Sequence, residues 1–267
     1  MGKFSNVLLA SDFDGTFADD YGNITEDVIA KLQYFISEGG LFTVSTGRTY
    51  LGFHKYNPVY INAPVLLCNG AMAYDYKSKK IIFCDAIESN AIPAIDAIKY
   101  HFPDVPIEMY PFDCTYAINL NENSERHFTN QNIPFTIVND PRETKFPWVK
   151  AMLCAKEKTL EIQEFLKENN FAGISFLPTT GSYIELLKPG VNKGQGLLKL
   201  AESLHISQSD TYAVGDDYND EDMLKAAAAS FVPQNGKQKT KEIADYIVRS
   251  NNDGCIANVI EILDTIY

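Results

Sequence analysis

The sequence predicts an α/β protein: a doubly wound, Rossmann-like parallel sheet with a second, α+β domain inserted into it. Three observations carry that expectation. Short apolar runs alternate with amphipathic helical stretches toward both ends of the chain. Three of those runs stop in clusters of acids, hydroxyls and glycine, where strands of an open sheet place their ligand-binding loops. The middle differs in character: eight of the twelve prolines lie between Glu88 and Leu187, together with the only tryptophan, Trp148.

In chain order, Val7–Ser11 is a short apolar run ended by Asp12, which reads as a buried strand. A helix is expected from Thr25, which is placed to cap it, with Glu26 and Asp27 at the positive end of its dipole. Val28, Ile29, Leu32, Phe35 and Ile36 form its apolar stripe, and Gly39-Gly40 ends it. Leu41–Ser45 is a second buried strand, so strand, helix and strand make a parallel βαβ unit. Val65–Leu67 reads as a third strand, and Ala71–Tyr74 with Ile81–Phe83 as a hairpin. In the middle, helices at 89–100 and 159–168 alternate with strands near 107–109, 116–118, 149–155, 174–177 and 183–187. The alternation then resumes: helix 194–204, strand 211–214, helix 221–228, strand 229–232 and a last helix 255–266. The expected organisation is a core domain of residues 1–86 and 188–267 with residues 87–187 inserted.

With 267 residues, 45% of them hydrophobic, the chain can bury a sizeable core without a disulfide or metal staple. Its formal charge of −12 argues against nucleic acid or an anionic membrane as partner. A phosphorylated substrate would therefore need local positive charge or a divalent cation. No apolar run reaches the ~18 residues of a membrane span. The five cysteines are scattered without a C-x-x-C pair, and no signal-peptide core is present; both point to reduced thiols in the cytoplasm.

The chemistry lies at the three strand ends. In Asp12-Phe13-Asp14-Gly15-Thr16, two carboxylates two residues apart approach one space, so either one is raised in pKa or both hold a metal. Gly15 lets the chain turn and brings N–H groups forward. Ser45-Thr46-Gly47-Arg48 offers hydroxyls, free N–H groups and a guanidinium to a phosphate. Gly215–Asp222 holds five acids and one Asn, oxygen donors of the kind Mg²⁺ takes, although acids before a helix also serve its N-terminus. Lys193 opens a helix just after Gly190-Val191-Asn192 and is placed to reach a phosphate or neutralise a carboxylate.

Together these groups resemble the haloacid dehalogenase superfamily of aspartyl-phosphate enzymes. Asp12-Phe13-Asp14-Gly15-Thr16 is similar to its first motif, Ser45-Thr46-Gly47-Arg48 to its second, Lys193 to its third and Gly215-Asp216 through Asn219-Asp220 to its fourth. The order agrees, with 34 residues from Asp12 to Thr46 and 23 from Lys193 to Asp216. The long insertion resembles the cap of subfamily IIB, the Cof-like hydrolases, as do Asn69-Gly70-Ala71, Ile184-Glu185-Leu186 and Asn219-Asp220 with Met223-Leu224. Phe17 stands where leucine is usual.

The resemblance implies a Mg²⁺-dependent phosphatase of small phosphorylated metabolites, sugar phosphates or phosphorylated cofactors, with the inserted cap setting specificity. It implies Asp12 as nucleophile and Asp14 as general acid and base. Metal ligation falls to Asp12, the Asp14 carbonyl and Asp216 in preference to its neighbour Asp217, with Asp220 as a further acid of the metal site. Thr46, Arg48, Lys193, Asn219, Ser45, Gly15 and Asn69 are the implied phosphate- or substrate-binding residues. Transport ATPases of this superfamily carry Thr at the Asp14 position, so Asp14 favours hydrolysis. A phosphosugar mutase, which keeps both acids, and a non-catalytic phosphate-ligand sensor are the alternatives.

Overall fold

Buried strands in a parallel sheet have both faces covered and read as unbroken apolar runs. The strand Leu8–Ser11 fits this, with Leu8, Leu9, Ala10 and Ser11 all fully buried. It lies between Thr211–Val214 and Leu41–Val44 in a five-stranded parallel sheet in the order Tyr246–Val248, Ala229–Pro233, Thr211–Val214, Leu8–Ser11, Leu41–Val44. Ser11 pairs with both Val214 and Val44, so these three strands end at one level. The loops that begin at Asp12, Gly215 and Ser45 therefore start side by side. This computed structural model describes residues 2–56, 60–178 and 183–267.

The chain folds as two compact units, Met1–Gly47 with Asn57–Phe83 and Asn192–Tyr267, and Arg48–Tyr56 with Cys84–Val191. The expected division fell at 86/87 and 187/188 and placed 48–56 in the first unit. The first helix of the core unit, Glu26–Ser37, buries Val28, Leu32 and Phe35. Thr25 occupies its N-cap, but its side chain makes no capping bond, contrary to expectation. Gly39 ends the helix at φ +90°, with its N–H on Ile36 O and that of Gly40 on Phe35 O. A side chain at Gly40 would meet the Phe35 ring at 2.4 Å. The last helix, Cys255–Ile266, packs along Glu26–Ser37. Leu197 and Leu200 of the helix Lys193–Ser203 pack into the apolar layer built on Leu8, Ala10 and Ala213.

After Leu41–Val44 the chain bridges Ser45 to Leu66 and enters an antiparallel sheet of Val65–Leu67, Met72–Asp75 and Lys80–Cys84. The turn at its start is left-handed throughout, with φ of 51°, 54° and 86° at Cys68, Asn69 and Gly70. The strand Tyr246–Val248 and the helix Gln238–Glu242 were not expected; three and five residues are too short for a periodicity to register.

The second unit is a six-stranded, largely antiparallel sheet in the order Ser175–Pro178, Tyr183–Leu187, Lys150–Cys154, Ile107–Tyr110, Tyr116–Ile118, Thr136–Ile137. Alternation assigns its faces. Ile107, Met109, Ala151 and Leu153 join Trp148 in a core shared with the helices Ile92–His101 and Thr159–Asn169. Tyr110, Met152 and Cys154 join Phe128 in a second cluster. Phe128 lies on a helix, Glu122–Gln131, that the sequence reading missed. It buries only Ser124 and Phe128, and its start is set by the Asn121 side chain accepting from the Asn123 and Ser124 N–H groups.

Gly70 combines positive φ with a packed neighbour, since a Cβ there would lie 2.5 Å from Asn192 O. Gly70→Ala should therefore destabilise the protein by about 2–4 kcal/mol, from backbone strain and overpacking together. A urea midpoint equal to wild type would contradict this close approach.

Candidate active site

Three carboxylates and one ammonium converge where the sheet strands end. Asp12, the residue after Leu8–Ser11, is held by its own N–H on Val214 O at 2.8 Å, and is 8% exposed. Lys193, fully buried, donates from Nζ to Asp12 Oδ1 and to Asp220 Oδ1, both at 2.6 Å. It reaches them because the helix Lys193–Ser203 starts hard against the acidic loop: a Cβ on Gly194 would lie 2.4 Å from Asp222 O. The Asn192 side chain fixes that start by accepting from the Gln195 N–H at 2.7 Å.

The acidic loop folds around Asp220. Its Oδ2 accepts the N–H groups of Asp216 at 2.9 Å and Asp217 at 3.0 Å, so both Asp220 oxygens are engaged. Gly215 permits this, since a Cβ there would meet the Asp220 Cβ at 2.4 Å. Asp216 accepts from the Thr16 hydroxyl at 2.8 Å. Ligand oxygens of Asp12, Asp216 and Asp220 lie within 4.8 Å of one another, the one such group among the described residues. Asp217 is not in it, and its side chain accepts from the Tyr218 N–H at 2.7 Å instead.

Gly15 takes φ +78°, and a Cβ there would sit 2.9 Å from Asp216 Oδ2. Asp14, beside it, is exposed, and pairs its backbone with Ala18. Thr46 and Asn69 meet through the Asn69 N–H on Thr46 O at 2.9 Å, and Asn219 donates to Asn69 Oδ1 at 3.0 Å. Ser45 is fully buried, with its hydroxyl lacking a hydrogen-bond partner among the described residues. Arg48 belongs to the second unit, where its guanidinium lies 4.7 Å from the centre of the Tyr56 ring. Two groups escaped the sequence reading. Thr16 stood inside a quoted motif without a role. Asn235, whose side chain donates to Gly15 O at 2.7 Å, sits in an Asn-Gly pair, which signals a turn and not a partner.

Burial pushes the Asp12 carboxyl well above the ordinary range; Lys193 opposes this, while Asp220 and Asp216 add to it. Burial alone would lower Lys193, yet Asp12 and Asp220 outweigh it and hold the ammonium protonated. Burial, then Asp220, pushes Asp216 up to about 6. Three carboxylates against one ammonium leave an excess of two negative charges, which a divalent cation would balance. The donors are all oxygens, as a hard cation requires, so the residues present fit Mg²⁺.

A family model described as haloacid dehalogenase-like hydrolase matches residues 9–260. This chain belongs to that family. The 5-amino-6-(5-phospho-D-ribitylamino)uracil phosphatase YitU of Bacillus subtilis strain 168 is 26% identical over 262 residues, covering 95% of this chain and 96% of its own. The pyridoxal phosphate phosphatase YbhA of Escherichia coli strain K12 is 24% identical over 266 residues, covering 95% and 97%. Among solved structures, the HAD subclass IIB sugar phosphatase BT4131 superposes with a TM-score of 0.83 at 19% identity, covering 97% of this chain and 99% of its own. That likeness shows the fold alone. The expected family and fold hold, and the chain is a phosphoric monoester hydrolase. No helix among the described residues is long and apolar enough to cross a membrane.

In the metal-free protein the raised Asp216 links stability to pH. Its folded value exceeds its unfolded one, so the folded state holds the extra proton, and stability falls as pH rises from about 4 to about 6. The contribution is roughly 3 kcal/mol. With chelator present, wild type should lose more stability across that window than Asp216→Asn, measured by urea midpoints. Parallel pH profiles would show that Asp216 titrates normally.

Proposed function

We propose that this chain is a Mg²⁺-dependent phosphatase that hydrolyses small phosphate monoesters through a phosphorylated Asp12. The observation that carries this reading is the buried Lys193 on Asp12, within reach of two further acids. A carboxylate attacking a phosphate dianion faces like-charge repulsion of roughly 1–4 kcal/mol at 4 Å in watery to protein-like surroundings. Asp12, Asp216 and the Asp14 carbonyl would hold Mg²⁺, which supplies charge neutralisation on the phosphoryl oxygens. Asp220, with both oxygens engaged, holds Lys193 and the acidic loop.

The protein's own groups do the rest. An Asp12 oxygen attacks phosphorus and the bond to the leaving oxygen breaks, while Asp14 delivers the proton that the leaving alcohol needs. Exposure of Asp14 suits a group that must meet both substrate and water. Lys193 and the Thr46 hydroxyl hold phosphoryl oxygens, as positioning and charge stabilisation dominate this chemistry. Asp14 then takes a proton from water, which attacks phosphorus and breaks its bond to Asp12, restoring the carboxylate. Ser45, Asn69, Asn219 and the Gly15 N–H complete the phosphate pocket, and Arg48 remains a candidate substrate contact on its motif position.

We assign the substrate to sugar phosphates or phosphorylated cofactors. Support comes from the relatives named for action on pyridoxal phosphate and on a phosphoribitylaminouracil. All five cysteines are free thiols, which fits a cytoplasmic enzyme.

Phosphate release from p-nitrophenyl phosphate and a panel of sugar and cofactor phosphates tests this. Release should require Mg²⁺ and fall about a thousandfold or more in Asp12→Asn. Asp14→Asn should lose on the order of 10²–10⁴-fold. Activity that survives Asp12→Asn, or that persists in chelator, would sink the reading.

A further inference from the structure

We propose that Asn235 is a positioning residue: its side-chain amide fixes the Gly15 peptide against Asp216 and thereby sets the strength of cation binding between Asp12 and Asp216. The proposal rests on the phosphatase reading of the same site. Two irregular loops carry the candidate ligands, and they approach so closely that a Cβ on Gly15 would lie 2.9 Å from Asp216 Oδ2. Such a contact needs both loops held from outside. Asn235 Nδ2 donates to Gly15 O at 2.7 Å, and two residues on, the Lys237 N–H donates to Asp216 O at 2.8 Å. One short stretch after the strand Ala229–Pro233 thus grips the nucleophile loop and the acidic loop together.

The amide itself cannot turn. Its Oδ1 accepts the Asn251 N–H at 2.9 Å, so a flip would set oxygen against the Gly15 carbonyl and N–H against N–H. Asn251 is 3% exposed and anchors the same loop further on, donating from Nδ2 to Ala18 O at 3.2 Å and to Asp20 Oδ1 at 2.9 Å. Asn252 adds a bond to Asp20 Oδ2 at 2.9 Å. The nucleophile loop is therefore pinned at Gly15, Ala18 and Asp20 by asparagines outside the four motifs. Asn235 is itself exposed, so its removal costs little apolar burial and acts on loop geometry. Hydrogen-bond partners one step outside a metal's ligands typically change affinity or activity by about 10–100-fold.

The test compares wild type with Asn235→Ala and Asn235→Gln. Mg²⁺ binding is measured by calorimetry without substrate, turnover by p-nitrophenyl phosphate hydrolysis, and stability by melting in chelator. Asn235→Ala should weaken Mg²⁺ binding by about 10–100-fold and lower kcat, with KM within about twofold of wild type and melting nearly unchanged. Asn235→Gln, which keeps the amide, should recover part of both losses. Wild-type Mg²⁺ binding in Asn235→Ala overturns the proposal, as does a loss that merely follows a lowered melting temperature. A Gln variant as impaired as the Ala variant also overturns it. Wild type that binds Mg²⁺ yet releases no phosphate would refute the phosphatase reading, while the calorimetric comparison still decides the role of Asn235.

Discussion

A buried ammonium shared between two carboxylates holds the site together. Lys193 is removed from water completely, and a charge there is tolerable only when paired and hydrogen-bonded. Asp12 and Asp220 do both, at 2.6 Å each. Everything that brings these groups together follows from the sheet register and from a few missing side chains. Strands Leu8–Ser11, Thr211–Val214 and Leu41–Val44 end level, so their loops share one edge. Gly194 and Gly215 then let the helix and the acidic loop close to distances that any Cβ would prevent.

The electrostatics of this arrangement are deliberately unbalanced. One ammonium cannot neutralise three acids, and the protein as a whole carries −12. Removal from water raises Asp12 and Asp216, and the neighbouring acids reinforce it. A divalent cation bound here would relieve a repulsion that the fold has already imposed. The same cation and Lys193 would give a phosphate dianion a local welcome on a surface that otherwise repels it.

Much of this was legible in the residues. The parallel strands showed as unbroken apolar runs, the last helix was read at its observed bounds, and the structure brings Asp12, Asp216 and Asp220 together with Lys193 on two of them. The failures have physical causes. The helix Glu122–Gln131 buries too few apolar side chains to leave a periodic trace. The strand Tyr246–Val248 is too short to show one. Thr25 stands at a helix N-cap without using its hydroxyl, which residue type alone does not reveal. Asn235 acts through one carbonyl 220 positions away in the chain, a partnership that only tertiary structure creates. The assignment of 48–56 to the second unit is of the same kind, since Leu51 packs against the cluster of Tyr110 and Phe128.

The central claim is that Asp12 becomes phosphorylated during turnover. The most direct measurement is to quench the enzyme during steady-state hydrolysis, reduce any acyl phosphate with borohydride and map the product by mass spectrometry. The account predicts reduction of the side chain at position 12 to an alcohol, at no other acid, and only when Mg²⁺ and substrate are both present. Enzyme that turns over briskly while position 12 stays an intact aspartate, or that is modified at another acid, would contradict it.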